Sequence, residues 1–263
     1  MLKNITIGQY IPGSSPIHQL DPRSKILGTL FLIIVLFLIN TVVGYVLTAA
    51  FIFALIALSQ LPVRFVLRGI KPLMVIITLT LLLNIFMTEG RVIFQFLFLS
   101  VTWEGLVRGA MMAVRLILLV LSTSILTLTT SPINLTDGLE SLMKPGKKIG
   151  IPAHELAMMM TIALRFIPTL IEETEKIMKA QMARGADFES GNLFQRAKSL
   201  IPLLVPLFIS AFRRADDLAL AMEARAYRGG EGRTKYKELQ FSWKDGVFVA
   251  FTLVFVVLVS IFF

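Results

Sequence analysis

From Ile26 to Leu58 the sequence runs 33 residues without a charge, and its clearest break is at Asn40, Thr41 and Gly44. A single helix of that length would be about 50 Å long, against a hydrocarbon core of about 30 Å. Two short membrane helices joined by a tight turn near Asn40–Gly44 fit the dimensions better. An uncharged, mostly apolar stretch of this length has no place in a soluble domain of ordinary size, so the chain is read as an integral membrane protein.

Three further apolar stretches follow, Pro72 to Met87, Leu106 to Thr130, and Phe248 to Phe263 with Trp243 as an interfacial anchor. The run Val92 to Val101 is too short to cross and reads as interfacial or re-entrant. Positive charge tests this set. With the N-terminus inside, Lys3, Arg23 and Lys25 fall inside, the first outer turn has no Lys or Arg, and the next inner loop has Arg64, Arg68 and Lys71. The second outer loop has only Arg91, while residues 131–241 hold 16 Lys or Arg. Five spans satisfy the positive-inside rule at every loop. Merging the first two would put a basic cluster outside. The expected fold is all-α: a polytopic membrane protein with about five transmembrane helices and a cytoplasmic pair of long helices. The expected division is 1–130 (four spans and the N-terminal segment), 131–241 (cytoplasmic) and 242–263 (the last span).

Composition agrees, with 56% hydrophobic residues and 16% charged, where soluble domains are nearer half and a quarter. The period-2 alternation of a membrane barrel is absent. The chain has no cysteine, which excludes disulfides, thiolate metal sites and cysteine nucleophiles. Residues 1–24 contain Gly8, Pro12, Gly13, Pro16 and Pro22 and no continuous apolar core, so the first span is expected to serve as its own insertion signal. The net charge of +9 is explained by topology rather than nucleic acid, since no aromatic-basic interleaving accompanies it.

Asp21-Pro22-Arg23 is a helix start, with Asp accepting an orphan backbone N–H and Pro tolerated at the first position. Arg64, Arg68 and Lys71 recur at i, i+4 and i+7 among Leu61, Phe65 and Val66, an amphipathic interfacial piece able to pair with anionic headgroups. Arg108 is placed to pair with Glu104 at i−4. Arg115 lies two turns deeper, where a charge must face protein or water; it is expected to bond to carbonyls or hydroxyls of neighbouring helices.

The polar block holds two long helical patterns. Pro152 to Gly185 begins nearly all apolar over Leu156 to Ile167, with Met158, Met159 and Met160 in a row, and this half is expected to be buried on all sides. After Pro168 it turns amphipathic, with Glu172–Lys176, Glu173–Lys176 and Glu175–Lys179 supporting an exposed face. Leu193 to Arg225 repeats the plan, with an apolar half including Leu204 and Phe208. There Ala211, Ala215 and Ala219 offer small residues at i, i+4 and i+8, a spacing that lets two helices approach closely. The two patterns end alike. Ala180-Gln181-Met182-Ala183-Arg184-Gly185 resembles Ala221-Met222-Glu223-Ala224-Arg225-Ala226. An arginine there complements the helix dipole, and Gly185 can take the left-handed conformation that stops a helix. Two similar cationic ends suit a partner with two similar pockets, guanidinium being matched to a carboxylate fork.

Nearly the whole chain resembles the T component of energy-coupling factor transporters, the membrane coupling subunit of cobalt, nickel and biotin importers. The motifs are Gly8-Gln9-Tyr10-Ile11-Pro12-Gly13-Ser14-Ser15-Pro16, Leu20-Asp21-Pro22-Arg23, Arg165-Phe166-Ile167-Pro168 and the paired Ala-Arg ends. The resemblance implies two ATP-binding-cassette subunits below the membrane and a separate substrate-binding S component. It implies that Arg184 and Arg225, with Ala183, Gly185, Ala224, Ala226 and Arg228 around them, dock on acidic grooves of the ATPases. Met158, Met159, Met160, Leu204, Phe208, Ala211 and Ala215 are assigned to packing between the helices or against the S component. No cofactor and no catalytic residue is implied. The second end departs from the family's usual Ala-Arg-Gly, so its termination is expected to depend on Gly229-Gly230, and the deeper contact there is either Arg225 or Arg228.

Two other classes compete. A membrane enzyme acting on lipid or prenyl substrates needs metal-binding carboxylate pairs; only Asp216-Asp217 qualifies, and it reads more simply as a solvated helix face. His18 and His154 are isolated, too few for zinc. A stand-alone secondary transporter needs intramembrane acids or symmetric broken helices, and neither is visible. Pro145-Gly146-Lys147-Lys148 lacks the frame of a phosphate-binding loop, so any ATP is hydrolysed by a partner.

Overall fold

The break predicted inside the first apolar run is made by a single threonine. α2 (Pro22–Leu38) ends at Ile39, and α3 (Val42–Ser59) starts on Thr41, whose hydroxyl accepts the Gly44 N–H at 3.3 Å. The computed structural model describes residues 10–96, 99–150, 152–188, 192–229 and 239–262. Lys3, Gly8, Gln9 and Gly230, used above, lie outside these. The described residues fall into two compact units, one within Met143–Lys237 and one within Gly8–Leu142 with Glu238–Phe263.

The second of these units holds α1 (Pro16–Gln19), α2, α3, α4 (Val63–Arg68), α5 (Met74–Met87), a hairpin of β1 (Val92–Phe96) and β2 (Leu99–Thr102), α6 (Trp103–Thr129), α7 (Pro132–Met143) and α11 (Trp243–Phe262). α2 and α3 both pack on α6, and α11 packs on α2. The buried core includes Val35, Leu36, Ile52, Leu118, Leu128 and Val259. In the Val92–Val101 stretch the described residues form two antiparallel strands pairing Val92 with Thr102 and Phe96 with Leu99, with a bulge between Val92 and Phe94. It is no helix, because β-branched and aromatic residues favour the pleated surface.

Among the described residues, five helical stretches are long and apolar enough to cross a membrane: Val42–Ser59, Val63–Met87, Trp103–Thr129, Ala153–Ala183 and Trp243–Phe262. The number matches expectation but the membership differs. Pro22–Leu38, counted as a span from sequence, is 17 residues long, at the lower limit for spanning helices. Ala153–Ala183, read from sequence as lying outside the membrane, has the length and apolarity to enter this set.

Most buried polar groups of the unit find partners within it, Arg23 Nε and Thr130 Oγ1 being exceptions among the described residues. Asp21 caps α2 as predicted, accepting the Arg23 N–H at 2.8 Å. Asp245, 2% exposed, accepts the backbone N–H of Asp21 at 2.6 Å, the Ser24 hydroxyl at 3.0 Å and the Ser242 N–H at 2.8 Å. One carboxylate thus ties the start of α11 to the start of α2. Lys25 is buried beside it and donates to the carbonyls of His18 and Thr129 at 3.1 and 3.0 Å. Arg115 meets its predicted partners: Nε donates to the Tyr45 hydroxyl at 2.8 Å and Nη2 to the Ile39 carbonyl at 3.0 Å. Its guanidinium also lies 5.8 Å from the Phe37 ring centre. The expected Glu104–Arg108 pair persists as a charge interaction, while the hydrogen bond goes elsewhere. Glu104 turns its carboxylate to the Arg91 N–H at 2.7 Å, holding the hairpin to the start of α6.

Candidate functional site

The unit within Met143–Lys237 is built on α8 (Ala153–Ala183) and α10 (Ile201–Ala224), with the short α9 (Leu193–Ser199) before α10. The second pattern, expected as one helix from Leu193, is interrupted at Leu200. Pro202 in the first turn of α10 brings no N–H and disfavours helical geometry in the residue before it.

Both helices close with the same hydrogen-bond pattern. At the end of α8 the Gly185 N–H donates to the Met182 carbonyl and the Ala186 N–H to the Gln181 carbonyl, each at 3.0 Å. At the end of α10 the Ala226 N–H donates to Glu223 at 2.8 Å and the Tyr227 N–H to Met222 at 3.0 Å. These are the two bonds of a Schellman motif. Arg184 (φ −88°, ψ 6°) and Arg225 (φ −90°, ψ 14°) hold the same cap position with nearly the same backbone. The sequence duplication is therefore a duplication of geometry. The left-handed residue is Gly185 (φ 88°) in one and Ala226 (φ 52°) in the other. The second helix ends at Ala224 and its cap Arg225, before Gly229, because Ala226 takes the left-handed conformation that the expectation had assigned to the glycines.

That strain is testable. A left-handed non-glycine residue costs about 1 kcal/mol or more, so Ala226→Gly is expected to stabilise the α10 end by about 0.5–1 kcal/mol. Gly185→Ala is expected to cost about 1 kcal/mol, through the backbone alone, since a Cβ there would meet nothing within 4 Å. Hydrogen exchange of the Tyr227 and Ala186 amides measures both. Slower exchange in A226G and faster in G185A is the expected pair of results.

The two helices run antiparallel. Gln181, near the end of α8, donates to the Pro202 carbonyl near the start of α10 at 3.4 Å. Midway, Glu173 accepts the Ser210 hydroxyl and both Nη2 and Nε of Arg214, at 2.8 and 3.1 Å. At the other end, the Tyr227 hydroxyl donates to the Met158 sulfur at 2.9 Å. The Glu173 carboxyl is held below its ordinary pKa, first by the Ser210 hydroxyl and then by Arg214. Arg184 and Arg225 consequently stand at opposite ends of one clamped pair.

Ala183, Arg184, Gly185, Ala224, Arg225, Ala226 and Arg228 are all exposed. Arg225 and Arg228 line one recess of about 380 Å³ with Met158, Ile162 and Met222. Of the residues assigned to packing, Met158 and Ala211 are half-buried, whereas Met159, Met160, Leu204, Phe208 and Ala215 are exposed. The apolar first half of α8 was expected to be covered on all sides. Instead only 6% of its most apolar 18-residue window is buried, so among the described residues it is covered only in part, as at Ala153, Ala157 and Met158.

Sequence reasoning missed the Glu173–Arg214 clamp and the Tyr227–Met158 contact. The pairing of Glu173 with Lys176, visible at i+3, persists as a weaker charge interaction beside the clamp.

The sequence profile of the cobalt transport protein family, CbiQ, matches residues 13–236. Curated relatives described as energy-coupling factor transporter transmembrane protein EcfT are similar along almost the whole chain. That of Thermosediminibacter oceani is 62% identical over 93% of this chain and 92% of its own length. That of Clostridium kluyveri is 60% identical, again over 93% and 92%. That of Bacillus subtilis is 52% identical over 93% of each.

Proposed function

Because this chain belongs to the CbiQ family and is an energy-coupling factor T component, we propose that it couples two ATP-binding-cassette subunits to a substrate-binding S component in importing vitamins or metal ions. The cell membrane is that of a prokaryote, with the N-terminus and the α8–α10 unit on the cytoplasmic side. ATP is hydrolysed by the partners, and this chain carries no catalytic group or cofactor of its own.

The observation that carries the reading is the matched pair of arginine caps at opposite ends of an antiparallel helix pair. Opposed ends cannot enter one pocket, but they can each enter a pocket on a different subunit. A guanidinium projecting past a helix end forms bidentate bonds with a carboxylate in a groove, and Arg184 and Arg225 are the proposed contacts, with Arg228 beside the second. Small neighbours (Ala183, Gly185, Ala224, Ala226) let the helix ends approach closely. The Glu173–Ser210–Arg214 clamp makes the pair move as one body, so a stroke of the ATPases is delivered as a displacement of the whole pair.

The exposed apolar side chains of Met159, Met160, Leu204 and Phe208, with Met158, Ala211 and Ala215, form the proposed seat of the S component. Apolar surface left open to this extent marks an interaction site. Purification of the assembled complex in mild detergent tests the reading. Two ATPase chains and an S component should co-elute; elution of this chain alone, with uptake retained, would reject it.

A further inference from the structure

The short helix α4 follows the span α3 and opens the stretch Val63–Met87 that continues into α5. It is fixed from one side. Leu61, Val66 and Ile70 are buried. A Cβ added at Gly69 would fall 2.9 Å from the Ser124 hydroxyl of α6, so the α4 end is pressed against that helix. The other side is doubly functionalised. Arg64, Arg68 and Lys71, at i, i+4 and i+7, line one open concavity of about 650 Å³ around Leu67, with no acidic side chain in its lining. Three apolar side chains flank them in the exposed state, Val63 at 61%, Phe65 at 40% and Leu67 at 52%. The Arg68 guanidinium lies 5.0 Å from the Phe65 ring centre, which holds it over the apolar patch.

We infer that this concavity binds the phosphodiester headgroup of an anionic membrane lipid. Three cations line it with no acid among the described residues of the lining, which calls for a multiply accepting anion such as phosphate. The interleaved Val63, Phe65 and Leu67 require an apolar medium at the same place, and the acyl boundary of a bilayer supplies it. A soluble phosphate satisfies the first demand but leaves the second unmet. The occupant is therefore a phosphatidylglycerol-like lipid, its headgroup in the cradle and its chains beside α4. The buried Leu61, Val66 and Ile70 make the cradle preformed rather than assembled by the lipid.

Native mass spectrometry of the full chain in mixed micelles of phosphatidylglycerol and phosphatidylcholine tests this. Each cation at an anionic surface is worth about a fivefold change in retention, so R64Q/R68Q/K71Q is expected to lose at least about tenfold of the preference for phosphatidylglycerol. R64K/R68K keeps the charge and should keep the preference. K144Q/K148Q/R213Q, which removes the same charge elsewhere, should leave it unchanged. Equal retention in wild type and R64Q/R68Q/K71Q, or equal loss in both triple variants, overturns the assignment. Displacement of the lipid by glycerol 3-phosphate at comparable concentration also overturns it, in favour of a soluble phosphate.

Discussion

Replacing Arg184 and Arg225 together by glutamate is expected to reduce coupled uptake by at least about a hundredfold, while the chain still inserts and its helices still pair. Removing one partner of a buried, hydrogen-bonded charge pair at an interface costs about 2–5 kcal/mol, and about 1.4 kcal/mol is a tenfold change in affinity. Reversal adds repulsion against the acidic groove. Neither arginine sustains the fold of its own unit: both are exposed, and the α8–α10 clamp is made by Glu173, Ser210, Arg214, Gln181 and Tyr227. The defect should therefore show as lost capture of the ATPases and lost uptake with normal abundance in the membrane. Vesicle uptake assays with quantified membrane protein measure both sides. Uptake at the wild-type rate would remove the arginines from the coupling path.

Asp245→Ala is expected to lower the stability of the membrane unit by about 3 kcal/mol. One carboxylate satisfies two backbone N–H groups and a hydroxyl in a site almost closed to solvent. Its removal strands those donors, and a buried donor left unpaired costs about 1–3 kcal/mol. The buried Lys25 loses its nearby compensating charge as well. The damage should be local at first, freeing the start of α11 from α2. Thermal unfolding in detergent reads the loss, and hydrogen exchange should locate it at Ser242 and Asp21. Asp245→Asn retains one acceptor oxygen and should fall between Asp245→Ala and wild type. An unchanged melting curve for Asp245→Ala would mean the network contributes nothing.

Local signals predicted what local chemistry decides. Asp21-Pro22 foretold a helix start, because capping needs only residues three apart. Asn40 to Gly44 foretold a break, because length against bilayer thickness forbids one helix. Arg115 was correctly placed against hydroxyl and carbonyl partners, because a charge at that depth has few alternatives. Contacts between distant residues were not legible. Asp245 bonds to residues more than two hundred positions away, and nothing beside it in sequence points there. Glu173 looked like half of an i+3 pair, and its choice of Arg214 depends on α10 lying alongside. The antiparallel course of α8 and α10, which separates the two arginines, is a tertiary fact. The Ala226 turn was missed for another reason: propensity favours glycine there, and the two hydrogen bonds it completes outweigh the backbone strain. The first half of α8 was read as buried on all sides because its composition demands cover, and the described residues cover only part of it.

The absence of cysteine from the sequence makes one measurement unusually direct. Ala183 and Ala224, each immediately before a cap arginine, can be replaced by cysteine singly and together in an otherwise thiol-free chain. A short bifunctional reagent is then applied to the assembled complex in its native membrane. The account predicts that each single variant joins to one ATP-binding subunit, and that the double variant joins to two at once. If neither position joins to a nucleotide-binding chain while the complex still transports, the arginine caps do not dock on the motor.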